Sequence, residues 1–476
     1  MASTGTGGAS KELARDAHPK RLNRMGAAIT RVIVVACLLT AANLALCWLL
    51  MPAGSMGEAL WYRYYQRMDE PIDTIICGTS FAMQGIDPAL IDETLGSHSQ
   101  SLATPGQSRT STLIALRDAY EDHHITRAIV GVSIESMGKT ESRPSFDLAF
   151  SLNEMRGRPP LHAAGTYLRT LCAHQHLSSA DSFAMLMPWS IWNAGFSPAA
   201  IRTNLSQRRT MTALEIQATN YSQPITEQGY APAWGSMSIA KVAKYAVAAD
   251  ESEYQLDGRV LDEYRAICQY CAQHDIKLYF ACLPWIDYLL VRYERPGGYA
   301  LAIKPFVDAM TAEGATFLDC PLLRPSYYRA KPSEFYNEQH INYEGAQRFT
   351  PHLADLIARV ERGEHISSLF YDHSMEGWQE YLDSIRGILL STFTATPVDG
   401  AIELAMKSWT APGIEVEYAV FRVREEGGYE QLRDYATDTT FSLPVEGHGV
   451  IKLRINARRA GSKRRCERFC VRSVRY

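Results

Sequence analysis

The chain has 476 residues, more than one ordinary domain needs, so we expect two or three folded units. Hydrophobic residues make up 46% of it and charged residues 21%, values typical of a globular protein, and these exclude a chain too polar to bury a core. A formal net charge of −4 favours no particular partner. Because the sequence also lacks any nucleic-acid-binding motif, we expect no nucleic-acid partner.

The N-terminal segment predicts a membrane anchor. Residues 1–24 begin rich in Gly, Ser and Ala, which is typical of a disordered tail. From Val32 to Met51 the chain carries no charge, and a helix of that length spans the hydrocarbon core of a bilayer. Six basic residues against two acidic ones precede this stretch. The positive-inside rule therefore predicts a cytoplasmic basic tail (1–31), a transmembrane signal anchor (32–51) and an extracytoplasmic remainder of a single-pass cell-membrane protein.

A cleaved signal peptide is the competing interpretation of the same segment. Its apolar region would be only about 7 to 15 residues long, which is shorter than this uncharged stretch. The small residues Ala53, Gly54 and Ser55 would nevertheless admit cleavage.

Alternating strands and helices are predicted after a stalk, residues 52–72, whose aromatic run 61–65 fits a membrane-interface belt. The strands are largely free of charge, as in a parallel sheet covered on both faces. The predicted strands are 73–77, 99–103, 128–134, 278–283 and 316–318, and the predicted helices are 88–95, 110–121, 260–274, 300–313 and 342–360. This pattern predicts one α/β domain over residues 73–360.

A helical insertion, residues 141–250, interrupts the strand-helix alternation and is rich in aromatic residues and Met. We expect it to pack over the active-site face of the domain. Trp189 and Trp192 in its centre are substrate-binding candidates, because indole rings stack on sugars; a buried hydrophobic cluster is the other interpretation.

The C-terminal part changes to short alternating runs separated by Gly-containing turns, after a connector at 361–394. It predicts a small immunoglobulin-like β-sandwich over residues 395–476. The strands expected are 402–405, 414–423, 440–443, 450–455 and 468–474. The basic loop 458–465 is either a contact for an anionic polymer or lipid headgroup, or a solvated hairpin tip.

Two short motifs carry the chemistry. Ser80 follows the apolar run Ile75-Ile76-Cys77-Gly78-Thr79, and about 260 residues later His340 ends the run Asn337-Glu338-Gln339-His340. A serine hydroxyl becomes a useful nucleophile when a base takes its proton, and histidine is the usual base. A turn after a parallel strand would expose the Ser80 Oγ and direct backbone N–H groups at a developing oxyanion.

These motifs resemble those of the SGNH (GDSL-like) hydrolase superfamily, and more closely its membrane-associated branch related to DltD and AlgJ/AlgX proteins. The resemblance implies a flavodoxin-like three-layer α/β/α sandwich, with Ser80 as nucleophile and His340 as base. Gly106 matches the glycine of the second family motif, so Ser80 and Gly106 would supply the oxyanion-hole N–H groups. The family's third-motif Asn has no match in this sequence, and Ser133 is a weak substitute for it.

The third catalytic position departs from the family pattern, which has Asp three residues before the histidine. Asn337 stands there, so the predicted catalytic set is Ser80, His340 and Asn337. An amide can hold the imidazole but adds no compensating charge. Glu334 and Glu338 are alternative carboxylates. Asp319, after a predicted strand, either reaches the site or caps the next turn.

The resemblance implies an extracytoplasmic serine O-acyltransferase or esterase acting on a cell-envelope polysaccharide or teichoic-acid-like polymer. A membrane-bound O-acyltransferase is then an expected partner that supplies acyl groups. No cofactor and no metal are expected. The alternative, favoured by Asn337, is a catalytically degenerate protein that binds or assembles an envelope polymer.

Overall fold

The structure is a computed structural model. It describes residues 9–138, 165–166, 187–190, 192–220, 224–236, 256–290, 297–337, 339–384, 390–398, 400–409, 414–424, 426–444, 448–466 and 468–475. Most of the predicted insertion therefore lies outside the described residues. The chain divides into two compact units, residues 1–53 with 174–212, and residues 54–173 with 213–476.

The described helices and strands are numbered in chain order. The helices are α1 Ala9–Leu50, α2 Met56–Gln66, α3 Ser80–Gly85, α4 Pro88–Leu95, α5 Arg109–His123, α6 Ile134–Gly138, α7 Pro198–Thr210, α8 Ala213–Asn220, α9 Gly258–Gln273, α10 Asp287–Leu290, α11 Gly298–Ala312, α12 Tyr343–Glu361 and α13 Met375–Ser384. The strands are β1 Thr74–Gly78, β2 Ser99–Ser101, β3 Arg127–Val132, β4 Lys277–Cys282, β5 Thr316–Asp319, β6 Leu390–Val398, β7 Ala401–Trp409, β8 Ile414–Val423, β9 Tyr429–Ala436, β10 Thr440–Pro444, β11 Val450–Arg459 and β12 Arg468–Arg475.

The first unit is built on the apolar helix α1. Its stretch Gly26–Leu50 is long and apolar enough to cross a membrane, with a mean hydropathy of 2.4. The helix begins at Ala9, within the segment predicted to be a disordered tail. Residues of high helix propensity extend it towards the N-terminus. At its other end Asn204 of α7 donates hydrogen bonds to the carbonyls of Leu49 and Met51, both at 2.9 Å. These bonds satisfy carbonyls that a helix end leaves without intrahelical partners.

The second unit contains a five-stranded parallel sheet in the order β2-β1-β3-β4-β5. This is the order of one common doubly wound α/β class, which binds ligands at the carboxyl ends of its strands. All five residues of β1 are buried, and so are the last five of β3 and of β4. The prediction of a parallel sheet within a mixed α/β fold is confirmed.

Helices cover this sheet in two groups. Helices α3, α4 and α12 pack together, while α9 packs against α5 and α11. The α12 helix begins at Asn342, whose side chain accepts a hydrogen bond from the Gly345 N–H at 2.9 Å and so caps the helix. The buried residues of β1, β3 and β4 carry no charge, as expected of strands that are covered on both faces.

The segment predicted as a stalk instead contains helix α2, which belongs to the core of the second unit. Leu60 and Trp61 lie about one helical turn before Tyr64 on one face of α2, and all three are buried, Trp61 to 1% exposure. Tyr64 donates a hydrogen bond to Asp122 Oδ2 at 2.7 Å. Helical spacing turns these aromatic side chains inward, so they do not form an exposed interface belt.

The C-terminal part forms two antiparallel sheets, β10-β7-β6 and β12-β11-β8-β9. They share one cluster of buried side chains drawn from β7, β8, β10 and β11, for example Leu404, Val420 and Leu453. Two strands were missed in the sequence. Strand β6 begins within the predicted connector and carries Pro397, and β9 is mostly polar; both lie at sheet edges, where such residues are tolerated.

Candidate active site

Ser80 lies at the carboxyl end of β1, as the first residue of α3. Gly78 immediately before the turn has φ +123°, and a Cβ there would collide with the backbone of Gly131 in β3. Only glycine fits this close approach of two strands in that backbone conformation. The chain therefore turns sharply after β1 and presents Ser80 at the edge of the sheet where ligands of this sheet class bind.

The structure brings Ser80, His340 and Asn337 together in one line of hydrogen bonds. Ser80 Oγ lies 2.7 Å from His340 Nε2, although the two residues are 260 positions apart. On the other side of the ring, His340 Nδ1 lies 2.9 Å from Asn337 Oδ1. Both distances are those of hydrogen bonds, so the nucleophile–base–orienter geometry of a serine active site is present.

Two backbone N–H groups fix the orientation of the Asn337 amide. Its Oδ1 accepts from the Gln339 N–H at 3.0 Å and from the His340 N–H at 2.9 Å. Since only the oxygen of an amide can accept, the same oxygen faces His340 Nδ1. Nδ1 must then carry the proton, which leaves Nε2 free to accept the hydrogen of Ser80 Oγ.

His340 is held as a neutral base. Burial lowers its pKa to about 4, because the charged imidazolium would lose its water. The ring stacks face to face on Phe81, with centroids 4.7 Å apart and planes inclined by 4°. Phe81 follows the nucleophile directly, so the turn that presents Ser80 also provides the wall against which the base packs. Sequence reasoning missed this contact because it joins distant segments.

The loop that carries Gly106 is tied to the Ser80 turn by Gln107. Gln107 Oε1 accepts from the Gly78 N–H at 2.7 Å, and its Nε2 donates to the Leu102 carbonyl at 2.6 Å. Gly106 itself is exposed with φ +64°, and its N–H has no hydrogen-bond partner among the residues that the structure describes. This N–H is therefore available to a ligand. Gln107 was not singled out in the sequence.

Two other residues considered in the sequence, Ser133 and Glu334, are engaged elsewhere. Ser133 donates its N–H to Ser136 Oγ at 3.1 Å and so cannot donate it to an oxyanion. Glu334 is buried and pairs with Arg348 at 2.6 Å. Because that carboxylate already neutralises a cation, it does not replace the missing Asp beside the histidine. Glu338 lies outside the described residues.

Asp319 lies at the carboxyl end of β5 and forms a separate buried pair. Its Oδ2 lies 2.8 Å from His373 Nε2, and its Oδ1 accepts from the Tyr299 hydroxyl at 2.7 Å. Burial opposes charge on His373, but the hydrogen bond and the charge of Asp319 outweigh it and raise the pKa of the imidazole. Asp319 thus anchors the segment after α12 to the sheet.

The described part of the insertion that contacts the site region is the segment 224–236. The Ala231 N–H bonds to the Met83 carbonyl at 3.3 Å, and the Tyr343 N–H bonds to the Ala233 carbonyl at 2.7 Å. Trp234 is 52% exposed and stacks on Tyr343 at 4.5 Å between centroids. The residues just before Trp234 therefore contact the segments that follow Ser80 and His340.

Trp189 and Trp192, the predicted substrate-binding pair, lie in the first unit and are half-buried. The indole N–H of Trp189 donates to Asn43 Oδ1 of α1 at 2.8 Å. Their stacking on a sugar stays a prediction.

No protein-family model matches the chain, and no curated protein matches it. Among the residues that the structure describes, no group of three or more His, Cys, Asp and Glu side chains is arranged to hold a metal ion.

Proposed function

We propose that the protein is a membrane-anchored SGNH-like serine enzyme that transfers or hydrolyses an O-linked acyl group on a cell-envelope polymer. The observation that carries the proposal is a pair of hydrogen bonds on the two sides of one ring, Ser80 Oγ–His340 Nε2 at 2.7 Å and His340 Nδ1–Asn337 Oδ1 at 2.9 Å. Its place at the end of β1, in a sheet of order β2-β1-β3-β4-β5, supports the flavodoxin-like α/β/α assignment. The division of the last seven strands between two sheets supports the assignment of the C-terminal part as an immunoglobulin-like β-sandwich.

In the first step, Ser80 Oγ attacks the acyl carbonyl while its proton moves to His340 Nε2. A bond forms between Oγ and the carbonyl carbon, and the oxygen becomes an oxyanion that the N–H groups of Ser80 and Gly106 stabilise. The imidazolium then returns the proton to the departing alcohol oxygen, and an acyl-serine remains. Ser80 is the first residue of α3, where an N–H has no intrahelical partner, which supports its place as a donor.

In the second step, an acceptor hydroxyl gives its proton to His340 Nε2 and attacks the acyl-serine. Collapse of the intermediate returns the proton to Ser80 Oγ and releases the acylated acceptor; water as acceptor makes the reaction a hydrolysis. An acyl donor outside the cell would need a supplier in the bilayer. The span Gly26–Leu50 supports a partnership with a membrane-bound O-acyltransferase there.

A catalytically degenerate polymer-binding protein is the second candidate. The observation that favours it is the amide of Asn337, which adds no negative charge beside a histidine whose pKa burial has already lowered to about 4. Protonation of this histidine costs additional free energy, about 1.4 kcal/mol for each unit by which its pKa is lowered.

Labelling of the full-length protein in detergent with a fluorophosphonate probe separates the two candidates. The enzyme predicts labelling of the wild type that disappears in Ser80→Ala and weakens in His340→Ala. Ser133→Ala serves as the matched control, because Ser133 follows the neighbouring strand β3 and its hydroxyl accepts from the Ser136 N–H.

Labelling that persists in Ser80→Ala would sink the assignment of the nucleophile. A wild type that resists the probe, while Asn337→Asp reacts, would establish a preserved but disabled site and favour the binding protein. Silence in all variants would reject the acyl-transfer proposal.

A further inference from the structure

The outward face of the four-stranded sheet carries a row of aromatic and cationic side chains. Phe469 on β12 and Tyr429 on β9 are each 59% exposed, although the sheet buries its other face in a core. Arg454 and Lys452 lie between them on β11, two residues apart and on the face opposite the buried Leu453. These four residues, Phe469, Arg454, Lys452 and Tyr429, are called the sheet track.

The sheet track is continuous because each cation lies over one of its rings. The guanidinium carbon of Arg454 is 4.5 Å from the ring centroid of Phe469, and Lys452 Nζ is 4.6 Å from that of Tyr429. Lys452 also donates a hydrogen bond to the Tyr429 hydroxyl at 2.8 Å. The row crosses four strands, or roughly 14 Å at ~4.8 Å per strand spacing. That length suits an extended oligomer better than a single small molecule.

Among the described residues, no carboxylate forms an ion pair with either cation of the sheet track, Lys452 or Arg454. Four other cations of the same sandwich do lie within 4.0 Å of carboxylates. These ion pairs are Arg422–Glu430, Arg433–Asp438, Arg458–Glu415, Arg458–Glu417 and Arg465–Asp434.

We propose that the sheet track binds an anionic polysaccharide. The exposed rings offer flat apolar surfaces against which the C–H faces of pyranose rings pack. Lys452 and Arg454 would pair with the carboxylates or phosphates that such a polymer carries along its length. A neutral glycan would leave these cations without a counter-charge, whereas an acidic polypeptide has no pyranose face for the rings. The proposal does not depend on turnover at Ser80.

Binding of the full-length protein in detergent to three polymers tests the proposal. Polygalacturonate combines pyranose rings with carboxylates, dextran has the rings alone, and poly-L-glutamate has the carboxylates alone. We expect binding to polygalacturonate that weakens as salt rises, since exposed ion pairs are screened. Binding to dextran and poly-L-glutamate should be at least ~10-fold weaker, which corresponds to about 1.4 kcal/mol.

Substitutions then locate the site. Phe469→Ala and the double variant Lys452→Gln/Arg454→Gln should each weaken binding of polygalacturonate by ~10-fold or more. Arg458→Gln is the matched control, because Arg458 lies on the same strand and face but is neutralised by Glu415 and Glu417. Ser80→Ala should bind as the wild type does, so that loss of acyl chemistry and loss of polymer binding are distinguishable.

Four results would overturn the proposal. Absence of binding to polygalacturonate would reject the site altogether. Equal binding to poly-L-glutamate, or an equal loss of polygalacturonate binding in Arg458→Gln, would show that the surface attracts polyanions only through unspecific positive charge. Equal binding to dextran would remove the role of the cations. Melting temperatures of all variants, measured in parallel, show that each remains folded.

Discussion

His340 is positioned by a partner that fixes its tautomer without stabilising its charge. Asn337 Oδ1 accepts a hydrogen bond from the His340 Nδ1–H at 2.9 Å, so the ring presents Nε2 to Ser80. A carboxylate partner would orient the ring in the same way. The imidazolium that forms during catalysis gains no opposite charge, and burial lowers its pKa to about 4. The shift from the ordinary value of 6.5 corresponds to a cost on the order of 3 kcal/mol for protonation.

Asn337→Asp should therefore raise both the pKa of His340 and the rate of acyl transfer. A carboxylate on the same atoms stabilises the imidazolium, and the converse substitution in a serine-protease triad lowers turnover about 10⁴-fold. We expect a gain of at least ~10-fold over the wild type. The base must be neutral, so the wild-type rate should rise with pH through about 4 and then stay level. In Asn337→Asp this acid limb should move to higher pH.

Rates of hydrolysis of an activated acetyl ester, measured from pH 3 to pH 8, check both expectations. Asn337→Ala is the control, because it removes the acceptor oxygen without adding charge and should lower the rate. An acid limb at the same pH in wild type and Asn337→Asp would show that His340 is not the titrating base.

At this scale the sequence identified the three hydrogen-bonded residues of the candidate site better than the residues that support them. Ser80, Asn337 and His340 were identified from short motifs, and the structure brings them into hydrogen-bond contact. Phe81 and Gln107 were missed, because a stacking or bracing role depends on which distant segment lies opposite. From the sequence alone, a Phe or a Gln with such a role looks the same as one that only packs in the core.

At the scale of elements, the loop between β2 and α5 acts as a brace for the Ser80 turn. Gln107 joins the Gly78 N–H to the Leu102 carbonyl, and the Thr112 hydroxyl adds a bond to Gln107 Oε1 at 3.1 Å. Gln107 is buried, so leaving either its side-chain oxygen or its side-chain nitrogen without a hydrogen bond would cost about 1–3 kcal/mol. The brace fixes Gly106 relative to Ser80.

Gln107→Leu should lower turnover by ~10-fold or more, because the Gly78 N–H loses its hydrogen-bond acceptor. Ser80, the target of the fluorophosphonate probe, is unchanged in this variant. A merely structural role would lower the melting temperature and leave kcat of the folded protein unchanged. Gln107→Glu is the informative companion, since it keeps the acceptor for Gly78 but loses the donor to Leu102. If kcat is unaltered in both variants, the bracing role is wrong.

Element boundaries were predicted within a few residues where hydrophobic pattern and capping agree. Helix α4, with Asp87 as its cap and Pro88 at its start, was predicted over 88–95 and is observed over the same residues. The edge strands β6 and β9 were missed, because edge positions need no continuous apolar pattern. The aromatic run in α2 was misread, since neither burial nor exposure of a Tyr-rich segment can be deduced from its composition.

The pair Asp319–His373 should stabilise the protein in a pH-dependent way. The pKa of His373 is raised in the folded state, so its stabilisation is fully present below the unfolded value of about 6.5 and is lost as pH rises through the folded value. Lys304, which opposes the charge, and Asp308, which favours it, also act on the ring. His373→Ala should therefore lower the melting temperature more at pH 6 than at pH 9.

Thermal unfolding at the two pH values checks this expectation. His365→Ala is the matched control, because His365 is exposed in the same segment and should leave the melting temperature unchanged at both pH values. An equal loss at pH 6 and pH 9 in His373→Ala would mean that the side chain contributes packing alone.

At the scale of the whole molecule, the two units divide anchoring from the candidate chemistry. The first holds the apolar helix α1 with α7 against its carboxyl end, and the second holds the parallel sheet and the sandwich. Burial of α2 in the second unit means that the core of the α/β fold begins a few residues after the apolar helix α1. If the proposed acyl-transfer function holds and α1 spans a bilayer, this short connection would suit a polymer made at or near the membrane.

The topology of helix α1 can be tested by cysteine labelling. The six basic residues before the span predict a cytoplasmic N-terminus, which puts the sandwich outside. Lys463→Cys, at an exposed position of the β11–β12 hairpin, should gain labelling by a membrane-impermeant maleimide in intact cells, relative to wild type. Ser10→Cys should gain it only after permeabilisation. The reverse pattern would place the site in the cytoplasm and remove the envelope polymer as substrate, whereas gain in both variants would indicate that the helix does not span.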